Sequence, residues 1–394
     1  MSAHIISILG LAGKNFTKST YSKDLDLPLK SGNFYNSTHC LIDSFDKSAT
    51  YTFIGTQESI ALHKSLFENL PHFKDIFDKY TPIEIASDGI EDIFHHILES
   101  ITTTQSQNII LDITHGFRHQ PIIASSASTL AQINTNKSIT IIFAKEIEKG
   151  KTYQYISLDK YLQINLIAIS LQTFAKTLTV PQISGIDTNK YPFIGTLYKF
   201  SNALHANAFA EIFGLLKDTK NELQKIKNGI RFKGLDKILE EVEKILDRFV
   251  AIQKHPTKYK QYYEISLLMN EMGYYLIAIT YIREAIPLYV LDRVEDFTKK
   301  GTRYYDQINA VNKYLNGEVL DPYIFEDTDR LDNKLKKQGL QTLKQMIENI
   351  GKIRNDLAHI NPKQKDLKEI TTSLRHTLDD FKTKCLIQDY LKNL

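Results

Sequence analysis

The stretch Asn108-Ile109-Ile110-Leu111-Asp112-Ile113-Thr114-His115-Gly116-Phe117-Arg118 decides the fold class. Its first four residues form a short, β-branched apolar run with the length of a buried strand, and a polar, glycine-containing loop follows. Five more runs of this kind occupy residues 4–10, 49–56, 82–87, 138–144 and 152–158. Longer segments with helical spacing lie between them, such as Ile60, Leu62, Leu66 and Leu70, or Ile90, Ile93, Phe94, Ile97 and Leu98. Strands alternating with helices imply βαβ units, so residues 1–159 read as a Rossmann-like, doubly wound, mainly parallel sheet.

After Leu158 the strand pattern stops. Residues 161–178, 235–249, 264–286 and 340–360 each read as one helix, the last ended by Pro362. Residues 160–394 are therefore expected to be all-helical, and the fold class is α/β followed by all-α. Two domains agree with 394 residues at roughly 150 per domain. Hydrophobic residues at 42% and charged residues at 24% exclude a disordered, fibrous or rod-like chain.

The net charge of +3 excludes a protein that holds nucleic acid by bulk electrostatics. Residues 1–160 carry 14 basic against 17 acidic residues, and residues 161–394 carry 35 against 29, so a polyanion site in the second half must be local. Two cysteines, Cys40 and Cys385, make neither a disulfide framework nor a CxxC metal pair. The first apolar stretch, Ile5 to Gly13, is far below the ~20 residues of a membrane span and lacks a basic flank. A cytoplasmic protein in a reducing compartment is expected, with no membrane partner.

Ligands of such a sheet bind at the carboxyl ends of its strands. Three loops there carry useful groups. Gly10-Leu11-Ala12-Gly13-Lys14 offers glycines for close backbone approach and a lysine for phosphate, and reads equally as a tight turn. It is not a GxGxxG fingerprint, which argues against a nicotinamide cofactor. Gly55-Thr56 precedes a helix, where backbone N–H groups can bind an anion. In the third loop Thr114, His115 and Arg118 offer donors, Gly116 allows close approach, and Asp112 can orient the loop by accepting its N–H groups. A metal held by Asp112, His115 and His119 is the weaker reading, because no further ligand has the right spacing. A purely structural loop is the other alternative.

In the helical half, Arg354-Asn355-Asp356-Leu357-Ala358-His359 sits on a helix whose apolar stripe is Met346, Ile350, Ile353, Leu357 and Ile360. Asn355 and His359 are four apart and lie about 160–200° from Leu357 at 100° per residue. They serve a second surface or a solvated polar face.

Two motifs carry a resemblance. Asp112-x-Thr114-His115-Gly116 resembles the DxTHG signature of CRISPR-associated proteins with a CARF domain. Arg354-Asn355-Asp356-Leu357-Ala358-His359 resembles the R-x(4–6)-H signature of HEPN ribonucleases. Their order matches the ancillary ribonucleases of type III CRISPR systems, and the resemblance spans nearly the whole chain. The segment Leu276–Ile286, with Tyr281, Arg283 and Glu284, also looks like family sequence.

The resemblance implies a CARF domain at 1–159 that binds a cyclic oligoadenylate, the tetramer favoured, as activator. It implies a HEPN domain at 160–394 that cuts single-stranded RNA in antiviral defence, without metal, as a homodimer. The activator would meet Gly10, Leu11, Gly13, Lys14, Gly55, Thr56, Thr114, His115, Gly116 and Arg118. Arg354, Asn355 and His359 would be catalytic. The alternative function is a nucleotide-sensing regulatory protein whose helical half is inactive or docks a partner.

Overall fold

The computed structural model describes residues 3–11, 15, 17–45, 49–86, 89–116, 119–183, 185–229, 233–358 and 366–392. The chain divides into two compact units, one of residues 1–173 and 180–195, the other of residues 174–179 and 196–394.

The first unit is built on one sheet. Its elements are β1 (Ala3–Ile8), β2 (Ser19–Lys23), β3 (Gly32–Phe34), α1 (Ser37–Phe45), β4 (Thr50–Gly55), α2 (Gln57–Phe67), α3 (Pro71–Lys79), β5 (Ile83–Glu84), α4 (Ile90–Thr103), β6 (Asn108–Asp112), α5 (Gln120–Asn134), β7 (Ser138–Glu148) and β8 (Thr152–Ser157). The strand order is β3-β2-β8-β7-β6-β1-β4-β5. β1 pairs in parallel with both β4 and β6, and β6 in parallel with β7. The doubly wound, mainly parallel sheet expected from the alternation is present.

Period-two patterning sends neighbouring β1 residues to opposite faces. Ile5 joins a core with Leu41 of α1, Phe67 of α2 and Phe77 of α3. Ile6 and Ile8 join a second core with Ile93 and Ile97 of α4 and Ala124 and Ala127 of α5. Helices thus cover both faces, as an all-parallel sheet centre requires.

One edge departs from the sequence reading. β8 runs antiparallel to β7, and β2 adds in parallel to β8 with β3 antiparallel beyond it. The sequences of β2 and β3, STYSK and GNF, lack an apolar run, because only Tyr21 and Phe34 reach the core there.

The expected boundary at Asp159 also differs from the compact units. Asp159 begins helix α6 (Asp159–Thr177), yet the first unit continues to Thr173. The Asp159 carboxylate accepts the N–H of Ile141 at 2.8 Å, and Leu162 enters the core of the second sheet face. Gln163 donates to the Gly185 carbonyl, which ties residues 180–195 to the same unit.

The second unit is helical: α7 (Pro192–His205, its first turn in the first unit), α8 (Phe209–Gly229), α9 (Lys233–Gln253), α10 (Lys258–Glu271), α11 (Tyr275–Arg293), α12 (Tyr304–Leu315), α13 (Thr328–Lys337), α14 (Leu340–Ala358) and α15 (Leu367–Phe381). α11 is buried on nearly every side, from Ala278 to Leu291, and α10, α12, α14 and α15 pack around it. The single helix expected over 264–286 is in fact two. Gly273 adopts φ +81° and the Tyr274 N–H returns to the Met269 carbonyl at 2.8 Å, so the chain turns back and α10 pairs with α11. The continuous apolar run hid this break, since both helices are core.

Candidate functional site

β1 and β6 are neighbours, with Ser7 opposite Asp112. Among the parallel strands, β4 and β5 extend the sheet from β1 on one side and β6 and β7 on the other, while β2 and β3 lie at the far edge beyond β8. The crevice beyond the carboxyl ends of β1 and β6 is therefore the topological switch point, where open α/β sheets bind ligands.

The candidate loops meet here. Gly10 lies against His115 and Gly116 so closely that an added Cβ would stand 2.6 Å from the Cβ of His115. Gly116 has φ +108° and faces Ile8 and Gln120, leaving no room for a side chain. Gly55 is seated against Leu9 and Ser59. The glycines are thus needed first for loop-on-loop packing rather than for an open approach to a ligand. Leu11 is exposed beside them. Thr56 caps α2, accepting the Ser59 N–H at 3.4 Å. Gly13, Lys14 and Arg118 lie outside the described residues.

Asp112 is fully buried and accepts both the N–H and the hydroxyl of Thr114, as its place at the strand end suggests. Burial pushes its carboxyl pKa up, against the opposing bonds from Thr114. The Thr114 hydroxyl in turn accepts the Ala144 N–H at 2.9 Å. That hydroxyl was expected to serve a ligand; it is engaged on both sides and instead fixes the loop between β6 and β7. His115 is half-buried, and burial lowers its pKa to about 4. Its Nε2 accepts the Ser37 N–H at 3.4 Å, so the neutral ring carries its proton on Nδ1. Asp112 and His115 therefore both point into protein contacts, and among the described residues no group of three His, Cys, Asp or Glu side chains is arranged to hold a metal.

The start of α1 was not singled out in the sequence. Asn36 accepts the His39 N–H at 2.9 Å and donates to Nε2 of His63 at 3.1 Å, while His63 Nδ1 donates to the Ser59 carbonyl. This buried relay joins the start of α1 to α2, and Ser37, next to Asn36 in the chain, reaches His115. Its signal in the sequence was Asn36-Ser37-Thr38 ahead of the apolar run Cys40-Leu41-Ile42, a helix-start pattern.

Burial lowers the pKa of His4, His39 and His63 to about 4 each. Below pH ~6.5 the unfolded chain takes up protons that the folded chain refuses. Stability is complete above that pH and declines as pH falls towards 4, by roughly 2 kcal/mol per histidine at pH 5. The first unit should melt at a clearly lower temperature at pH 5 than at pH 7.5. Equal midpoints by calorimetry would contradict neutral, buried imidazoles.

In the second unit, the stripe of α14 is buried as far as Ile353. Beyond it Arg354, Asn355 and Ala358 are exposed, and Asp356 and Leu357 half-buried. Leu357, only half-buried, does not continue the buried stripe as its spacing suggested. His359 and Ile360 lie outside the described residues. Ile353 and Asp356 line a cleft of about 370 Å³ against α15, with Lys352, Ser373 and His376.

Among the described residues, no helix is long and apolar enough to cross a membrane. None of the curated proteins matches the chain. Residues 4–159 match the model of the family described as "CRISPR system endoribonuclease Csx1, CARF domain", and this match supports a CRISPR CARF-domain protein.

Proposed function

We propose that the chain is a cyclic-oligoadenylate-activated endoribonuclease of type III CRISPR defence. The observation that carries this reading is the family match over residues 4–159, with Asp112, Thr114, His115 and Gly116 at the switch point of the matched sheet. Residues 1–159 are the CARF sensor and residues 160–394 a HEPN ribonuclease domain, acting as a homodimer in the cytoplasm.

The activator lies over the carboxyl edge of the sheet, across the two-fold axis of paired sensors, because a rotationally symmetric ring is matched most simply by two copies of one surface. Lys14 and Arg118 face its phosphates. Gly10, Leu11, Gly13, Gly55, Thr56, Thr114, His115 and Gly116 form the floor, and the tetra-adenylate ring is the favoured size.

In the helical half the RNA 2′-oxygen attacks its own 3′-phosphorus, the P–O5′ bond breaks, and the products are a 2′,3′-cyclic phosphate and a 5′-hydroxyl. Arg354 stabilises charge on the phosphoryl oxygens, His359 moves the proton, and Asn355 positions the phosphate. No metal takes part. The exposure of Arg354 and Asn355 supports a site completed by a second copy.

Incubation of the full chain with labelled single-stranded RNA, with and without cyclic tetra- or hexa-adenylate, tests the reading. Cleavage should rise on the order of 100-fold with one ring, which needs about 2.7 kcal/mol of differential affinity for the competent state. No cleavage under any condition would leave a sensor without a nuclease.

A further inference from the structure

Arg283 has no part in the chemistry above. It projects from α11, the helix at the centre of the second unit, and is half-buried without a hydrogen bond or ion pair to the described residues. It lines an open groove of about 620 Å³ against α12. The facing wall holds Asn309, Asn312 and Lys313. The side-chain amides of Asn309 and Asn312 are half-buried and make no hydrogen bond among the described residues. Half-exposed amides and a guanidinium gathered in one groove, none engaged by a hydrogen bond within the described residues, are open to a ligand in place of solvent.

The helix repeat adds an aromatic group. Tyr305, Asn309 and Asn312 fall within about 60° of one another at 100° per residue, so they share a stripe along α12. The Tyr305 ring is 70% exposed. An exposed ring, two amides one turn apart and two flanking cations match a single strand of nucleic acid: a base stacks, amides read base edges, and cations meet phosphate. Three carboxylates, Asp306, Glu318 and Asp321, also line the groove. Asp306 is paired with Arg303, and Asp321 accepts the Tyr323 N–H at 2.9 Å. All three can accept from exocyclic amino groups of bases, and together they disfavour a ligand that is phosphate alone.

We infer that the groove between α11 and α12 binds single-stranded RNA, with Asn309 and Asn312 on base edges, Arg283 and Lys313 on phosphate and Tyr305 under a base. The choice of RNA rests on the ribonuclease reading. Both helices pack on α14, which carries Arg354, so a strand held here is delivered to that helix.

Anisotropy of a labelled, mixed-sequence single-stranded RNA against the full-length Arg354→Ala chain measures binding without cleavage. The double change Asn309→Ala, Asn312→Ala should weaken binding at least about tenfold. Tyr305→Ala should weaken it at least about fivefold. Arg283→Gln should also reduce the slope of log affinity against log salt by about 0.7, a readout that a structural role would not move. The three α12 positions are exposed or half-exposed, and alanine favours a helix, so these variants fold. Unchanged affinity and salt slope in every variant, or no binding by the parent, overturns the groove. Wild-type cleavage with unaltered binding in the variants would remove the groove and keep the nuclease. Groove-dependent binding without wild-type cleavage would do the reverse.

Discussion

Arg354→Ala should lower RNA cleavage by roughly 10²–10³-fold, the effect of removing one group that stabilises developing charge. His359→Ala should cost roughly 10²–10⁴-fold, the usual contribution of a side chain that transfers a proton in the transition state. Activator affinity should not change in either variant. Excess EDTA should leave the wild-type rate intact, and the cut ends should carry 2′,3′-cyclic phosphate. Mixing wild-type chains with excess His359→Ala chains probes whether two copies build one site. A shared site loses activity with the fraction of wild-type homodimer; independent sites lose none. Wild-type turnover by either single variant would sink the catalytic assignment.

The second large effect concerns Gly10. A methyl group there would be 2.6 Å from His115 Cβ, and both atoms are held by backbone. Gly10→Ala therefore forces His115 and Gly116 away from the end of β1. His115 then moves off the Ser37 N–H at the start of α1. Calorimetry should show at least about a tenfold loss of affinity for cyclic tetra-adenylate, because preorganisation of that surface is lost. Gly55→Ala offers a graded comparison: its Cβ would meet the Ser59 hydroxyl, which can rotate away, as well as Leu9. Undiminished ring affinity in Gly10→Ala would show that the ligand does not depend on this edge of the sheet.

The sheet was legible because each central strand is apolar on both faces, and such runs stand out against the polar turns. The strands β2 and β3 were not, since each presents a single aromatic residue to the core. The α10–α11 break was invisible for the opposite reason: Met269 and Ile279 are both core, so apolar periodicity runs straight across Gly273. Of the candidate site, the positions of Gly10, Gly55 and Gly116 could be read, but not their purpose. A glycine in sequence shows only that something comes close, and here the neighbour is another loop. Asn36 and His63 escaped because a buried relay depends on partners 27 residues apart, which no local pattern reports.

The pairing of β2 with β8 has a consequence for synthesis. Thr20 finds Thr152, and Tyr21 finds Tyr153, so that edge cannot close until residue 157 has been made. At roughly 5–20 residues per second, the nascent chain carries Tyr21 without its β8 partner Tyr153 for on the order of ten seconds. Such a long-range closure also gives high contact order and slow folding. The first unit is therefore most vulnerable to aggregation and chaperone capture during its own translation, before it can meet any ligand.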